Sequence, residues 1–298
     1  MAASSRLDRR LPAWCCEPRG RPLAFAGGLL VASGLAHAVV WAVLGGPWEG
    51  AVTWRKPILF GISGGLTCLS LGWVWAALPR RRGDLSLSWA TAAALVLEVG
   101  VIDLQRWRGV ASHFNRATPF DAAAYDFMTW LIIGVTVVIC ILAVRCCVQD
   151  VRLRPDMSLA ARVGLGLLAV SCGLGIWAGW QGEIRRAAGL PAEMLGAAGV
   201  LKFPHGAALH ALQWLPVAAW AARRAGVGER ERVRLVATAG VGHALFGGYA
   251  LAQTLLGRGR FDAVPGTAPL LVAAGACLLW PVAVIGVAAW RRRRQAAG

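Results

Sequence analysis

Long stretches of the chain contain no Asp, Glu, Lys or Arg: residues 22–48, 57–79, 127–144, 163–182, 203–222, 235–257 and 263–290. Each runs to about 18 residues or more, enough for an α-helix to cross a ~30 Å hydrocarbon core. An eighth stretch, roughly 86–105, is apolar apart from Glu98 and Asp103. The pattern predicts an all-α polytopic bundle of eight transmembrane helices joined by short loops. A tail over 1–21 precedes it, and a basic tail over 291–298 follows. The opening segment is polar and basic, and the apolar run after it is too long for a signal-peptide core. That run is expected to be a retained first helix.

Composition agrees with this reading. Of 298 residues, 57% are hydrophobic and only 15% charged, where a soluble domain carries about 25% charged residues. A net charge of +16 would suggest nucleic acid on a soluble protein. On a membrane chain it signals topology and anionic lipid instead, so membrane lipids are the expected partners and nucleic acid is not. With eight spans, 21 Lys and Arg fall on the side holding both tails and 10 on the other. The positive-inside rule then predicts an inner (cytoplasmic) membrane protein, multi-pass, with both termini cytoplasmic. Trp41, Trp48, Trp54, Trp107, Trp180 and Trp290 fall near the predicted interfaces, where indoles prefer to lie. The outer loops are the longer ones and hold Trp, His, Asn and Phe, which makes them the better candidates for function.

The halves of the chain echo one another. Gly28-Leu29-Leu30-x-x-Ser33 matches Gly166-Leu167-Leu168-x-x-Ser171, and Arg55-Lys56-Pro57 matches Lys202-Phe203-Pro204. Gln105 leads to Phe114-Asn115, and Gln253 leads to Phe261-Asp262, at offsets of 148 and 147. Two four-helix repeats, 22–148 and 149–290, are predicted. Four being even, they would be parallel repeats about an axis along the membrane normal, an arrangement that favours a ligand site at their junction. Gly61-x-x-x-Gly65 and Gly175-x-x-x-Gly179 allow close helix approach, while Pro216 and Pro281 are expected to kink their spans.

Candidate chemistry centres on polar groups inside spans. A carboxylate there is costly and normally faces the bundle interior or a water-filled cavity. Counting from predicted outer boundaries at ~1.5 Å per residue, Glu98 lies about 12 Å in, His37 about 14 Å and His210 about 12 Å, with His243 deeper at about 22 Å. Glu98 is the candidate catalytic or protonatable residue. His37, His210 and His243 are candidate ligand-binding residues, and Gln213 extends the His210 face by nearly one turn. The set is compatible with a metal ion, with haem on two imidazoles, with an acid–base pair, or with a structural hydrogen-bond network. A second patch lies in the 105–121 loop. There Arg106, Arg108 and Arg116 suit an anion or lipid head group, with Ser112, His113 and Asn115 as donors and acceptors.

The eight cysteines show no CxxC spacing. The adjacent pairs Cys15-Cys16 and Cys146-Cys147 are poor zinc ligands, so buried small hydrophobes are the expected role. There is no P-loop and no mid-span lysine for a Schiff base.

The stretches Trp54-Arg-Lys-Pro, Arg108-Gly-Val-Ala-Ser-His-Phe-Asn and Leu209-His-Ala-Leu-Gln resemble those of a group of bacterial polytopic membrane proteins with no assigned activity. The resemblance implies a shared fold and no chemistry. The four-plus-four layout also resembles haem A synthase, but that family pairs histidines within each half, and here the first half has only His37 within a span. The sequence leaves three functions open: binding of a small ligand or cofactor in an outer-half pocket for redox or lipid-modifying chemistry, secondary proton-coupled transport, and a non-catalytic scaffold. Whether the protein is an enzyme, which cofactor it takes and its oligomeric state are equally open.

Overall fold

The computed structural model describes residues 12–262 and 264–297. The predicted tail over 1–21 therefore lies partly outside the described residues, as do residues 263 and 298. The described chain is helical apart from one short hairpin: α1 Ala13–Cys16, α2 Arg21–Leu44, α3 Arg55–Ala77, α4 Asp84–Trp107, α5 Pro119–Val148, α6 Pro155–Ala187, β1 Met194–Leu195, β2 Gly199–Val200, α7 Lys202–Leu209, α8 Ala211–Arg224, α9 Glu229–Leu255 and α10 Ala268–Ala297. Seven helices, α2 to α6, α9 and α10, are long and apolar enough to cross a membrane. The predicted span over 203–222 instead forms two helices, α7 and α8, with His210 between them at φ −95° and ψ 8°. The chain divides into two compact units, Met1–Leu142 and Ala143–Gly298.

In the first unit α2 and α3 approach backbone to backbone. A Cβ on Gly61 would lie 2.8 Å from the Gly34 Cα, and one on Gly65 would lie 2.7 Å from the Gly27 carbonyl oxygen. Such small-residue contacts supply van der Waals packing where lipid removes the hydrophobic drive between helices. Along α4 the buried positions are 84, 88, 91, 92, 95, 98, 99, 102 and 105, the three-to-four spacing of one helix face. A buried ion pair ties its start to the segment before α2. The Arg19 guanidinium donates to Asp84 at 3.1 Å and to the Leu78 carbonyl at 3.1 Å, while the Ser88 hydroxyl donates to the Arg19 carbonyl at 2.6 Å.

In the second unit a small-residue core of Ala160, Ala211, Leu215, Ala219, Val236 and Ala239 joins α6, α8 and α9. Its buried ion pair has the opposite order: Asp156, in the first turn of α6, accepts from Arg232 of α9 at 2.6 Å and from Arg223 at 3.2 Å. At Gly175 an added Cβ would meet the His205 ring at 3.0 Å, while Gly179 has open space beside it. The second Gly-x-x-x-Gly pair thus makes room for one imidazole rather than for a helix backbone. The β1–β2 hairpin packs on the end of α9, where a Cβ on Gly196 would lie 2.9 Å from the Gly257 Cα.

Candidate functional site

The polar groups within the apolar helices form two sets, one in each unit. In the first, His37 of α2 is held at both ring nitrogens. The Trp107 indole donates to Nε2 at 3.0 Å, and Nδ1 lies 2.9 Å from the Ser33 carbonyl. An indole N–H can only donate, so Nε2 is the acceptor and Nδ1 carries the proton. The Ser33 hydroxyl donates to Asp103 at 3.0 Å, and that carboxylate stands 4.0 Å from His37 Nδ1. The second Asp103 oxygen is buried without a hydrogen-bond partner. Trp54, placed by its sequence near an interface, is 5% exposed and lies between His37 and Trp107, with ring centroids 6.1 and 5.2 Å away.

The carboxylate beside His37 is thus Asp103, which sequence reasoning noted only as a charge within a span. Glu98 lies on the same helix, 8% exposed, and makes no hydrogen bond or ion pair among the described residues. The signal that could have selected Asp103 is its place beside Trp107, one turn along α4.

The loop candidates have local partners. Arg108 pairs with Asp121 at 2.7 Å and also donates to Gln105, which itself donates to Asp121 at 2.9 Å. Asn115 braces its own turn, donating to the Ala111 carbonyl at 3.0 Å and accepting from the Ala117 N–H at 3.1 Å. His113 bonds the Ser112 hydroxyl at 2.9 Å and lies between the rings of Phe60 and Tyr125. Phe114 takes a left-handed conformation at φ 58°. Its side chain packs on the buried cluster of Ile102, Tyr125 and Met128, which holds that strained backbone in place.

In the second unit the interruption between α7 and α8 gathers His205, His210, Gln213 and His243. His205 is engaged through Nδ1, which lies 2.8 Å from the Ser171 carbonyl and 3.0 Å from the Ser171 hydroxyl, and that hydroxyl donates to the His205 carbonyl at 2.8 Å. Gln213 and His243 keep buried polar atoms open. Gln213 is within interaction range of the His210 ring, but neither its buried amide nitrogen nor its buried amide oxygen reaches a partner with hydrogen-bond geometry. His243 lies near His210 and the Ala207 backbone, and its Nδ1 is buried and unpartnered. A neutral imidazole can present such an open ring nitrogen to a ligand as an acceptor. His210, His243 and Gln213 thus come together in one unit, while Glu98, His37, Arg108, His113 and Asn115 belong to the other.

No group of three or more His, Cys, Asp or Glu side chains is placed to hold a metal ion among the described residues. Cys68, Cys146 and Cys172 are buried, and Cys16, Cys140 and Cys147 are exposed. The chain matches no family model, no curated protein and no solved structure.

Proposed function

We propose that this multi-pass membrane protein binds a small polar ligand at the interruption between α7 and α8. The observation behind this reading is the set of unpaired buried atoms there: the Gln213 amide and His243 Nδ1 beside His210. A buried polar group without a partner costs about 1–3 kcal/mol. Three such atoms gathered at a helix break are explained by a ligand that pairs with them. The ligand class follows from the atoms: Gln213 offers one donor and one acceptor group, and His243 offers an acceptor, so a neutral molecule bearing hydroxyl or amide groups fits.

In this reading α7 and α8 cross the membrane together as one broken element. Lys202 to Arg224 would span about 34 Å as a continuous helix at 1.5 Å per residue, and the count becomes eight. The charge asymmetry then places both termini in the cytoplasm. Two parallel four-helix repeats are supported by three correspondences at an offset of 148. Asp84 and Arg232 begin equivalent helices with inverted charge. Gln105 and Gln253 are both 0% exposed near helix ends. Gly109 and Gly257 both turn the chain at positive φ, 73° and 65°.

The interruption itself favours a second reading, secondary transport, since transporters place substrate sites at broken helices. Glu98 would then be the protonatable group.

Purified protein challenged in a thermal-shift assay with neutral polyols, amides and nucleosides tests the site. A compound that stabilises wild type but neither Gln213→Leu nor His243→Phe is expected. Stabilisation that survives in both variants, or no stabilising compound at all, overturns the reading. An absorbance spectrum with a Soret band would assign haem instead. Transport predicts that a stabilising compound acidifies dye-loaded proteoliposomes, and that Glu98→Gln abolishes the signal.

A further inference from the structure

Arg106, Arg108 and Arg116 stand near the end of α4, and two of them are neutralised. Arg108 pairs with Asp121 at 2.7 Å and Arg116 with Asp126 at 2.6 Å. Arg106 has no carboxylate partner among the described residues. Its guanidinium stacks 3.9 Å from the centre of the Trp54 ring, and its Nε is buried without a hydrogen-bond partner. Thr53 is 1% exposed, and its hydroxyl is likewise unpartnered. Both residues line one shallow depression, together with Lys56 and Ser112 and four apolar positions. Lys56 donates to the Ala51 carbonyl at 3.2 Å. The depression thus has two cationic side chains and two hydroxyls, and no carboxylate in its lining. It lies where α3 begins and α4 ends, the level at which a spanning helix meets lipid head groups.

We propose that this depression binds a phosphate group, with Arg106 Nε–H and the Thr53 hydroxyl as donors. Stacking on Trp54 fixes the guanidinium plane, so that Nε–H is oriented before an anion arrives. The phosphate comes from an anionic lipid head group or from free inorganic phosphate. Both present the same oxygens to the same donors.

The full-length protein is reconstituted into phosphatidylcholine nanodiscs and titrated calorimetrically with inorganic phosphate. In parallel, protein from mixed phosphatidylcholine–phosphatidylglycerol membranes is washed in detergent, and the retained lipid is identified by native mass spectrometry. Phosphate binding identifies the free ion as the source, and selective phosphatidylglycerol retention identifies the head group. In whichever arm binds, Thr53→Val is expected to weaken binding about tenfold and Arg106→Gln more, as loss of charge-assisted hydrogen bonds requires. Arg116→Gln should leave it unchanged. The inference is overturned if neither phosphate nor phosphatidylglycerol binds, if Thr53→Val binds as wild type, or if Arg116→Gln weakens binding as much as Arg106→Gln. Thr53→Val is nearly isosteric, so the test stands even if Arg106→Gln fails to fold.

Discussion

At the end of α9, Gln253 is 0% exposed and fully engaged. Its amide nitrogen donates to the Gly259 carbonyl at 3.0 Å and the Asp262 carbonyl at 2.8 Å, and its oxygen accepts from Thr267 at 3.0 Å. At the start of α8, the same side-chain type in Gln213 has neither amide atom paired. Gln253 closes a loop, and its partners are two loop carbonyls and the Thr267 hydroxyl. Gln213 follows a helix interruption, and its polar side-chain neighbour there is His210, with no bond of good geometry to either amide atom. A buried amide thus serves two ends, and the accounting of its hydrogen bonds tells them apart. His37 and His243 differ in the same way, with two ring nitrogens bonded in the first and one left open in the second.

Saturated nodes should lose stability when a partner is removed, and the α7–α8 interruption should not. The largest loss is expected at the buried ion pairs. Asp156→Ala leaves Arg232 buried with only the Val227 carbonyl at 2.8 Å and the rim carboxylate of Glu229, and should cost about 3–5 kcal/mol, read as the melting temperature of the detergent-solubilised protein. Asp84→Ala should cost a similar amount in the first unit. Exchanging the charges there, Arg19→Asp with Asp84→Arg, should recover part of the loss, because the second unit already uses that order. No recovery would weaken the repeat.

Gln253→Leu comes next. It removes the bonds to the Thr267 hydroxyl and to the Gly259 and Asp262 carbonyls, at about 1–3 kcal/mol by the cost of an unmade buried bond. Trp107→Phe keeps the ring but removes the donor to His37 Nε2, and should cost about 0.5–1.5 kcal/mol.

The smallest effect is one of pH. Burial pushes the Glu17 carboxyl up, but hydrogen bonds from the Arg19 side chain and backbone, the Arg19 charge and the Gly20 amide outweigh it and hold the group below the usual carboxylate range. A depressed folded value stabilises the protein above the unfolded pKa of about 4.3, and the contribution fades as pH falls through the folded value. Melting temperature followed downward from pH 6 should therefore fall more steeply in wild type than in Glu17→Gln. Equal slopes would remove the contribution of Glu17.

Six of the seven long apolar helices were legible as charge-free runs, and α4 as a run broken only by Glu98 and Asp103, because crossing lipid demands apolar length whatever the packing. The interruption at His210 was not. The run Gly206-Ala-Ala-Leu-His-Ala-Leu has no proline and only one glycine, at its start, so no local signal stops a helix there. Depth along a span singled out Glu98, but depth says nothing of facing partners. Asp103 meets His37 only because α2 lies beside α4, a relation between helices that spacing within either one does not contain. The loop arginines looked alike in sequence. Their difference arises from Asp121 and Asp126, ten or more residues further on, which leaves Arg106 alone with Trp54.

The most direct test of a ligand site at the interruption is the melting temperature of Gln213→Leu without added ligand. Leucine removes two unpaired buried polar atoms and keeps the volume, so the empty protein should become more stable, by up to about 1–3 kcal/mol. A melting temperature below that of wild type would show that Gln213 holds the fold together as Gln253 does, and would contradict a site built to receive a ligand.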